Sequence, residues 1–204
     1  MATRHWPVTL TEGDVTLRAL RLADASRWRE VRRRNVEWLR PWEATLPPEA
    51  VAEGDSAPTF GTMVRRLRKE AREGRTLPFA LVYQGGLVGQ VTVGGISWGS
   101  LRAGYVGYWI DEAVAGRGIM PLAVAMAIDH SLQELRLHRI EVNIRPENAA
   151  SLRVAEKLEL RREGQRQQYL HIDGAWRDHI TFVVYADEVP EGLATRLRAS
   201  HTSA

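Results

Sequence analysis

The chain has 204 residues, of which 44% are hydrophobic and 26% charged, and its 28 Lys and Arg exceed its 25 Asp and Glu by a net charge of +3. This length suits one domain with a sizeable core, and this composition excludes disordered, collagen-like and coiled-coil classes. With no cysteine, disulfide scaffolds, thiolate metal centres and a cysteine nucleophile are excluded as well.

No apolar run approaches the ~20 residues of a membrane span. Thr3, Arg4, His5 and Pro7 stand where a secretory leader would carry its apolar core, so no membrane partner and a cytoplasmic location are expected. Val15, Leu17 and Ala19 alternate with polar residues as a half-buried strand does. Asp24 is placed to cap a helix whose Trp28, Val31 and Trp38 recur at helical spacing until Pro41 stops it. From Pro41 to Pro58 the composition is that of turns, and this long connection reads as a lid. A second helix spans about Thr59 to Glu73 and closes at Gly74. Arg32-Arg33-Arg34 and Arg65-Arg66-Leu67-Arg68-Lys69 fall on these two helices, as solvated faces or as a patch for RNA, a ribosome or an acidic partner.

Phe79 to Tyr83, Leu87 to Val93 and Tyr105 to Ile110 read as an antiparallel meander, with a turn at Gln84-Gly85-Gly86. Ile119 to Leu132 is apolar on nearly every side and reads as a helix buried against the sheet. A strand from His138 to Ile144 and a short helix from Asn148 come next. Two strands, Gln165 to Ile172 and Trp176 to Tyr185, then flank the turn at Asp173-Gly174. The pattern predicts a single α+β domain over 10–187 and a loosely ordered tail over 188–204.

Between the third meander strand and the buried helix lies the run from Trp109 to Met120, containing Gly116-Arg117-Gly118. Two glycines let the main chain approach a ligand closely, and the free N–H groups of a first helical turn bind anions, so this loop reads either as a phosphate cradle or as an ordinary strand-to-helix turn. Pro121 fits the first turn because no donor is needed there. It is neither a Rossmann fingerprint nor a P-loop, since the third glycine and the Gly-Lys-Ser/Thr ending are absent.

Ala115-Gly116-Arg117-Gly118-Ile119-Met120 resembles the acyl-CoA pyrophosphate loop of the GNAT superfamily of N-acetyltransferases, usually Arg/Gln-x-x-Gly-x-Gly/Ala, with Ala115 and Met120 departing from the usual end residues. The run from Asn148 through Ser151 to Glu156-Lys157-Leu158 is similar to the helix that follows in that family, with Glu159-Leu160 in place of Gly-Phe. Leu39-Arg40-Pro41-Trp42-Glu43, His138-Arg139-Ile140 and Tyr169 to His179 resemble the RimJ/RimL group, its RimJ members most of all, and the likeness extends from Val15 to about Tyr185. It implies a GNAT-like, mostly antiparallel sheet of about seven strands with helices on both faces. The co-substrate is then acetyl-CoA, with no metal, and the acceptor is an amine, foremost the N-terminus of a ribosomal protein, attacking directly in a ternary complex.

The resemblance assigns the coenzyme to Trp109, Ile110, Gly116, Arg117, Gly118, Ile119, Met120 and Asn148. Ser151 is the candidate to protonate or hydrogen-bond the departing thiolate, with ordinary helix-capping geometry the alternative, and Glu141 and Glu43 are candidate bases. Glu141 has a solvated-strand alternative, and Glu43 a positioning alternative. The strand end at Trp109 and Ile110 can offer backbone N–H groups to an oxyanion. Trp42, Tyr105 and Tyr108 are expected along the amine channel, with core packing the alternative for the tyrosines. His138 and His179 read as structural, and no His-Glu-x-x-His or Gly-x-Ser-x-Gly motif occurs. An RNA-binding module with secondary catalysis and a small-molecule amine acetyltransferase stay open as alternatives, as does an oligomer.

Overall fold

The computed structural model describes residues 6–202, so Thr3, Arg4 and His5 lie outside the described residues. In chain order the elements are β1 (Thr9–Glu12), β2 (Val15–Ala19), α1 (Ala25–Arg34), α2 (Val36–Leu39), α3 (Pro48–Ala52), α4 (Phe60–Arg72), β3 (Leu77–Tyr83), β4 (Gly86–Ser97) and β5 (Ala103–Ile110). They continue with α5 (Ile119–Asp129), β6 (Arg139–Ile144), α6 (Ala149–Lys157), β7 (Arg161–Ile172), β8 (Ala175–Tyr185) and α7 (Leu193–Thr202). The strands form one eight-stranded sheet in the order β1-β2-β3-β4-β5-β6-β8-β7. Every neighbouring pair is antiparallel except β5 and β6.

Helices cover both faces, because the period of two along β3 sends Phe79 and Leu81 into one core and Ala80 into the other. The larger core packs α5, α6 and α7 against Leu17, Phe79, Val91, Val106 and Ile140. The smaller one packs Val31 of α1 and Phe60 and Val64 of α4 against Leu20, Ala80 and Leu87. As its composition demands, α5 is buried from Ile119 to Ile128, then passes into a π-helical turn over His130–Glu134.

Four local expectations differ from the structure. The sheet gains β1, whose residues are only half-buried or exposed and so carry no apolar alternation. The helix expected from Asp24 to Pro41 breaks at the buried Asn35, whose side-chain amide donates to the Val31 carbonyl and to Asp111 while its oxygen accepts the Glu112 N–H. Asp24 does not cap α1; its carboxylate holds Arg18 at 2.7 Å and the Arg21 N–H at 2.8 Å. The segment expected to be a loose tail carries α7, with Leu193 and Leu197 buried. Its first N–H groups, on Leu193 and Ala194, donate to the Asp129 carboxylate at 2.7 and 2.9 Å, a partner 64 and 65 residues away that tail composition cannot disclose.

Candidate active site

Strands β5 and β6 share three pairs, Ala103 with Arg139, Gly104 with Ile140 and Tyr105 with Glu141, and then part. Beyond that point β5 stays paired to β4 as far as Ile110, and β6 to β8 as far as Ile144. Ile110 stands opposite Gly89, and the Asp111 N–H donates to the Val88 carbonyl at 2.8 Å. The antiparallel alternation therefore turns the main-chain groups of Trp109 toward β4 and those of Tyr108 and Ile110 into the gap. Of the two expected strand-end residues, Ile110 offers its backbone there, Tyr108 joins it, and Trp109 contributes its ring. The Ile110 carbonyl already accepts from the Trp38 indole N–H at 3.1 Å.

At the end of β5 the Asp111 carboxylate accepts the Ala113 N–H at the start of a 3-10 turn over Glu112–Val114. Gly116 (φ +80°) and Gly118 (φ +79°) are left-handed, and a Cβ built on either would meet no atom within 4 Å. Glycine is thus required by the backbone rather than by crowding, and the space in front of the loop is open. Gly118 caps α5 and Pro121 lies in its first turn, so the loop delivers main-chain donors and the positive helix end to that space. Arg117 turns its side chain back to the Ala113 carbonyl at 3.2 Å, and Ile119 packs in the core. Neither of these two expected residues is among those that line the cavity.

Loop, gap and α6 enclose a cavity of about 510 Å³. It collects the expected Trp42, Glu43, Tyr108, Trp109, Ile110, Gly116, Gly118, Met120, Asn148 and Ser151. The Asn148 side chain caps α6 by accepting the Ser151 N–H at 3.0 Å, which fixes Ser151 one turn into the helix. Opposite stands Tyr108, whose hydroxyl is buried beside the Ser151 hydroxyl. Burial pushes that hydroxyl up to about 12, while the neighbouring Ser151 hydroxyl pulls it the other way.

The lining residues missed from the sequence include Arg32, Trp38, Arg153 and Lys157. The i, i+4 spacing of Arg153 and Lys157 on a helix already assigned to the coenzyme was a usable signal. Arg32 belonged to a run read as a solvated face or a nucleic-acid patch. In the structure its guanidinium lies 5.3 Å from the Trp28 and Trp109 ring centroids and pairs with Glu43. Arg34 of the same run pairs with Asp111.

Two expected residues lie elsewhere. Glu141, offered as a base, is gripped at 2.7 Å by both Arg139 and Arg166 and does not line the cavity. Tyr105, expected along the amine channel, is 47% exposed, with its ring over Gly94 and Gly95. They form the last pair before the gap; Tyr105 shares its sheet face with the cavity-lining Trp109 but stands four residues earlier, where β5 and β6 are still joined. The lid expectation also changes. Ala44 bridges to Ile172, the Thr45 N–H donates to the His171 carbonyl at 2.9 Å, and the Thr45 hydroxyl bonds His171 Nδ1 at 2.8 Å. The cavity-lining part of that connection is therefore fastened to the β7–β8 hairpin. Among the described residues no three His, Asp or Glu side chains cluster as metal ligands, and no helix is long and apolar enough to cross a membrane.

Residues 14–161 match the family profile described as an acetyltransferase (GNAT) domain. The chain is similar to Mycobacterium smegmatis RimJ, solved in complex with CoA-disulfide, at 38% identity and a TM-score of 0.88 over 96% of each chain. It is 29% identical to the [ribosomal protein uS5]-alanine N-acetyltransferase of Escherichia coli over 85% of this chain and 88% of that one. Against the probable N-acetyltransferase YjcK of Bacillus subtilis the identity is 41% over 93 residues, which is 46% of this chain and about half (51%) of that protein.

The Asp111 staple yields a pH prediction. Burial by itself raises this carboxyl, but the bonds from Arg34, Asn35 and the Ala113 N–H outweigh it and hold the group below its ordinary range. A depressed folded-state value contributes stability above the unfolded value of about 3.9, and the contribution is lost as pH falls through the folded one. Asp111→Asn should cost about 2 kcal/mol at pH 7, with the gap to wild type narrowing from pH 5 to pH 3. Urea midpoints across that range test it; a constant gap contradicts it.

Proposed function

We propose that this chain, which belongs to the GNAT acetyltransferase family, moves the acetyl group of acetyl-CoA to the N-terminal α-amino group of a ribosomal protein by direct attack in a ternary complex. The observation that carries the reading is the convergence on one cavity of a left-handed glycine loop, the inward main chain of Tyr108 and Ile110, and the Ser151 hydroxyl. The acceptor class rests on the full-length likeness to RimJ and to the uS5-alanine enzyme.

Acetyl-CoA supplies an activated thioester. The main chain of Gly116, Arg117, Gly118, Ile119 and Met120 holds its diphosphate, helped by the positive end of α5. Arg153 and Lys157 add charge of the right sign at the same rim. The N–H groups of Tyr108 and Ile110 face the gap where carbonyl oxygen gains negative charge, and such preorganised donors are worth about 10²–10³ in rate each. As the new N–C bond forms and the C–S bond breaks, the thiolate needs a proton and the amine must lose one. Ser151 is sited to hydrogen-bond the sulfur and pass it a proton, taking one back from solvent water so that a thiol leaves and no alkoxide remains. Tyr108, with a value near 12, stays protonated at neutral pH and can back it with a hydrogen bond.

On the amine side a base is scarcely required. An α-amino group with pKa ~8 is roughly a tenth neutral near pH 7, against well under a thousandth for lysine. Glu43, paired with Arg32 at the cavity wall, takes the released proton directly or through water. With Arg32 and Arg34 engaged inside the molecule, little of the first arginine run is left to support the RNA-binding reading.

Incubation with labelled acetyl-CoA and a panel of N-terminal ribosomal-protein peptides, lysine peptides and small amines tests the acceptor. Label on the α-amino group of the N-terminal peptides is expected, and transfer confined to small amines or lysine contradicts it. Gly118→Val, which forces a β-branched residue to positive φ at the loop, should weaken acetyl-CoA binding at least tenfold by calorimetry, because such strain costs about 1–3 kcal/mol or displaces the N–H groups. Unchanged affinity would remove the loop from the coenzyme site. Ser151→Ala should lower kcat about 10²-fold with acetyl-CoA affinity retained, as expected for loss of a proton donor.

A further inference from the structure

Arg145 lies in the loop between β6 and α6, three residues before the helix cap, with its side chain only 11% exposed. Its guanidinium does three things at once. One N–H donates to the Pro41 carbonyl at 2.6 Å, its plane lies 5.4 Å from the Trp42 ring centroid, and Nε donates to Glu147 at 3.1 Å. On the helix side, the Arg145 carbonyl accepts the Asn148 N–H at 3.0 Å, and Asn148 in turn caps α6 at Ser151. One residue thus joins the Pro41–Trp42–Glu43 wall of the cavity to the turn that sets Ser151.

The Trp42 wall has other fastenings, but they run from Glu43, Ala44 and Thr45 to the β7–β8 hairpin, the Asp173 N–H donating to the Glu43 carbonyl at 3.4 Å, or lead to α1 through Glu43 and Arg32. Arg145 alone among the described contacts ties Pro41 and Trp42 to the β6–α6 loop. We propose that Arg145 is the positioning residue of this enzyme's acceptor side, setting the distance between the Trp42–Glu43 wall and Ser151 without itself touching the reacting atoms. A guanidinium is needed because only a plane can stack on an indole and donate sideways to a carbonyl at the same time. This inference rests on the acetyl-transfer reading of the cavity but not on which amine is the acceptor.

The experiment uses the full chain and two variants, Arg145→Ala and Arg145→Lys, with whichever amine in the panel wild type acetylates fastest. Loss of the stack and of a charge-assisted hydrogen bond should lower kcat/KM for the acceptor about tenfold or more in Arg145→Ala. It should leave the acetyl-CoA dissociation constant within about twofold of wild type. Arg145→Lys, which keeps the charge but not the plane, should fall between. Hydroxyl-radical footprinting read by mass spectrometry needs no acceptor: Trp42 labelling should rise several-fold in Arg145→Ala while the peptide carrying Ser151 is unchanged. The inference is overturned if acceptor kcat/KM and Trp42 labelling match wild type. It is equally overturned if acetyl-CoA affinity falls in step with acceptor turnover, which would mark general collapse of α6. Should Arg145→Ala fail to fold, the same two readouts on Arg145→Lys decide it, and a wild-type Trp42 footprint there counts against the proposal.

Discussion

The parting of β5 from β6 is the constraint on which the rest of the molecule turns. Each strand has a full antiparallel partner on its outer side, β4 for one and β8 for the other, and the two share three parallel pairs at one end. Parallel pairing is the weaker kind, so the sheet divides there. Division leaves main-chain donors and acceptors of Tyr108 and Ile110 facing a gap, and backbone polar groups seldom remain buried without partners. The Trp38 indole takes one of them, the Ile110 carbonyl. The others leave a hydrogen-bonding edge open to the cavity, and α5, entering from the glycine loop, adds its positive end at the mouth.

Around this gap the molecule uses arginine on aromatic rings and buried carboxylates to fix its walls. Arg32 lies between Trp28 and Trp109, Arg145 lies over Trp42, and Arg34 reaches Asp111. Pairs of this kind on an open surface contribute little, but partly buried ones that also satisfy main-chain groups hold geometry firmly. Asn35 shows the same economy of means: it breaks the first helix, and in breaking it presents an amide that bonds both the helix end and the turn after β5. The Trp42–Glu43 wall of the cavity is therefore built into the sheet's surroundings, and the stretch from Leu46 to Pro58 is what remains of the connection that looked like a lid.

Several of these features are legible in the chain's own pattern. The buried helix from Ile119 is apolar all round, the strands carry an alternating period, and the spacing of Gly116, Gly118, Asn148 and Ser151 puts four contacts on one loop and one helix end. The misreadings share a cause. Tyr105 shares its sheet face with Trp109, but it and Glu141 sit where β5 and β6 are still paired, and the point at which the two strands part is not written in their alternation. The arginine run looked like a surface charge because its partners, Glu43 and Asp111, are remote in sequence or hidden in a turn. β1 has too little buried surface to leave a pattern, and α7 is set by the carboxylate of Asp129, far back along the chain.

By itself, then, the sequence determined what local physics controls: most of the helices and strands, that two glycines at the end of β5 bring the main chain close ahead of an apolar helix, and that Asn148 caps the helix carrying Ser151. Only the tertiary structure decided which side chains share the cavity with that turn. Those choices depend on how far β5 and β6 diverge and on contacts such as Arg145 to Pro41 and Trp42, about a hundred residues apart, whose formation follows from packing of the whole sheet rather than from any window of the chain.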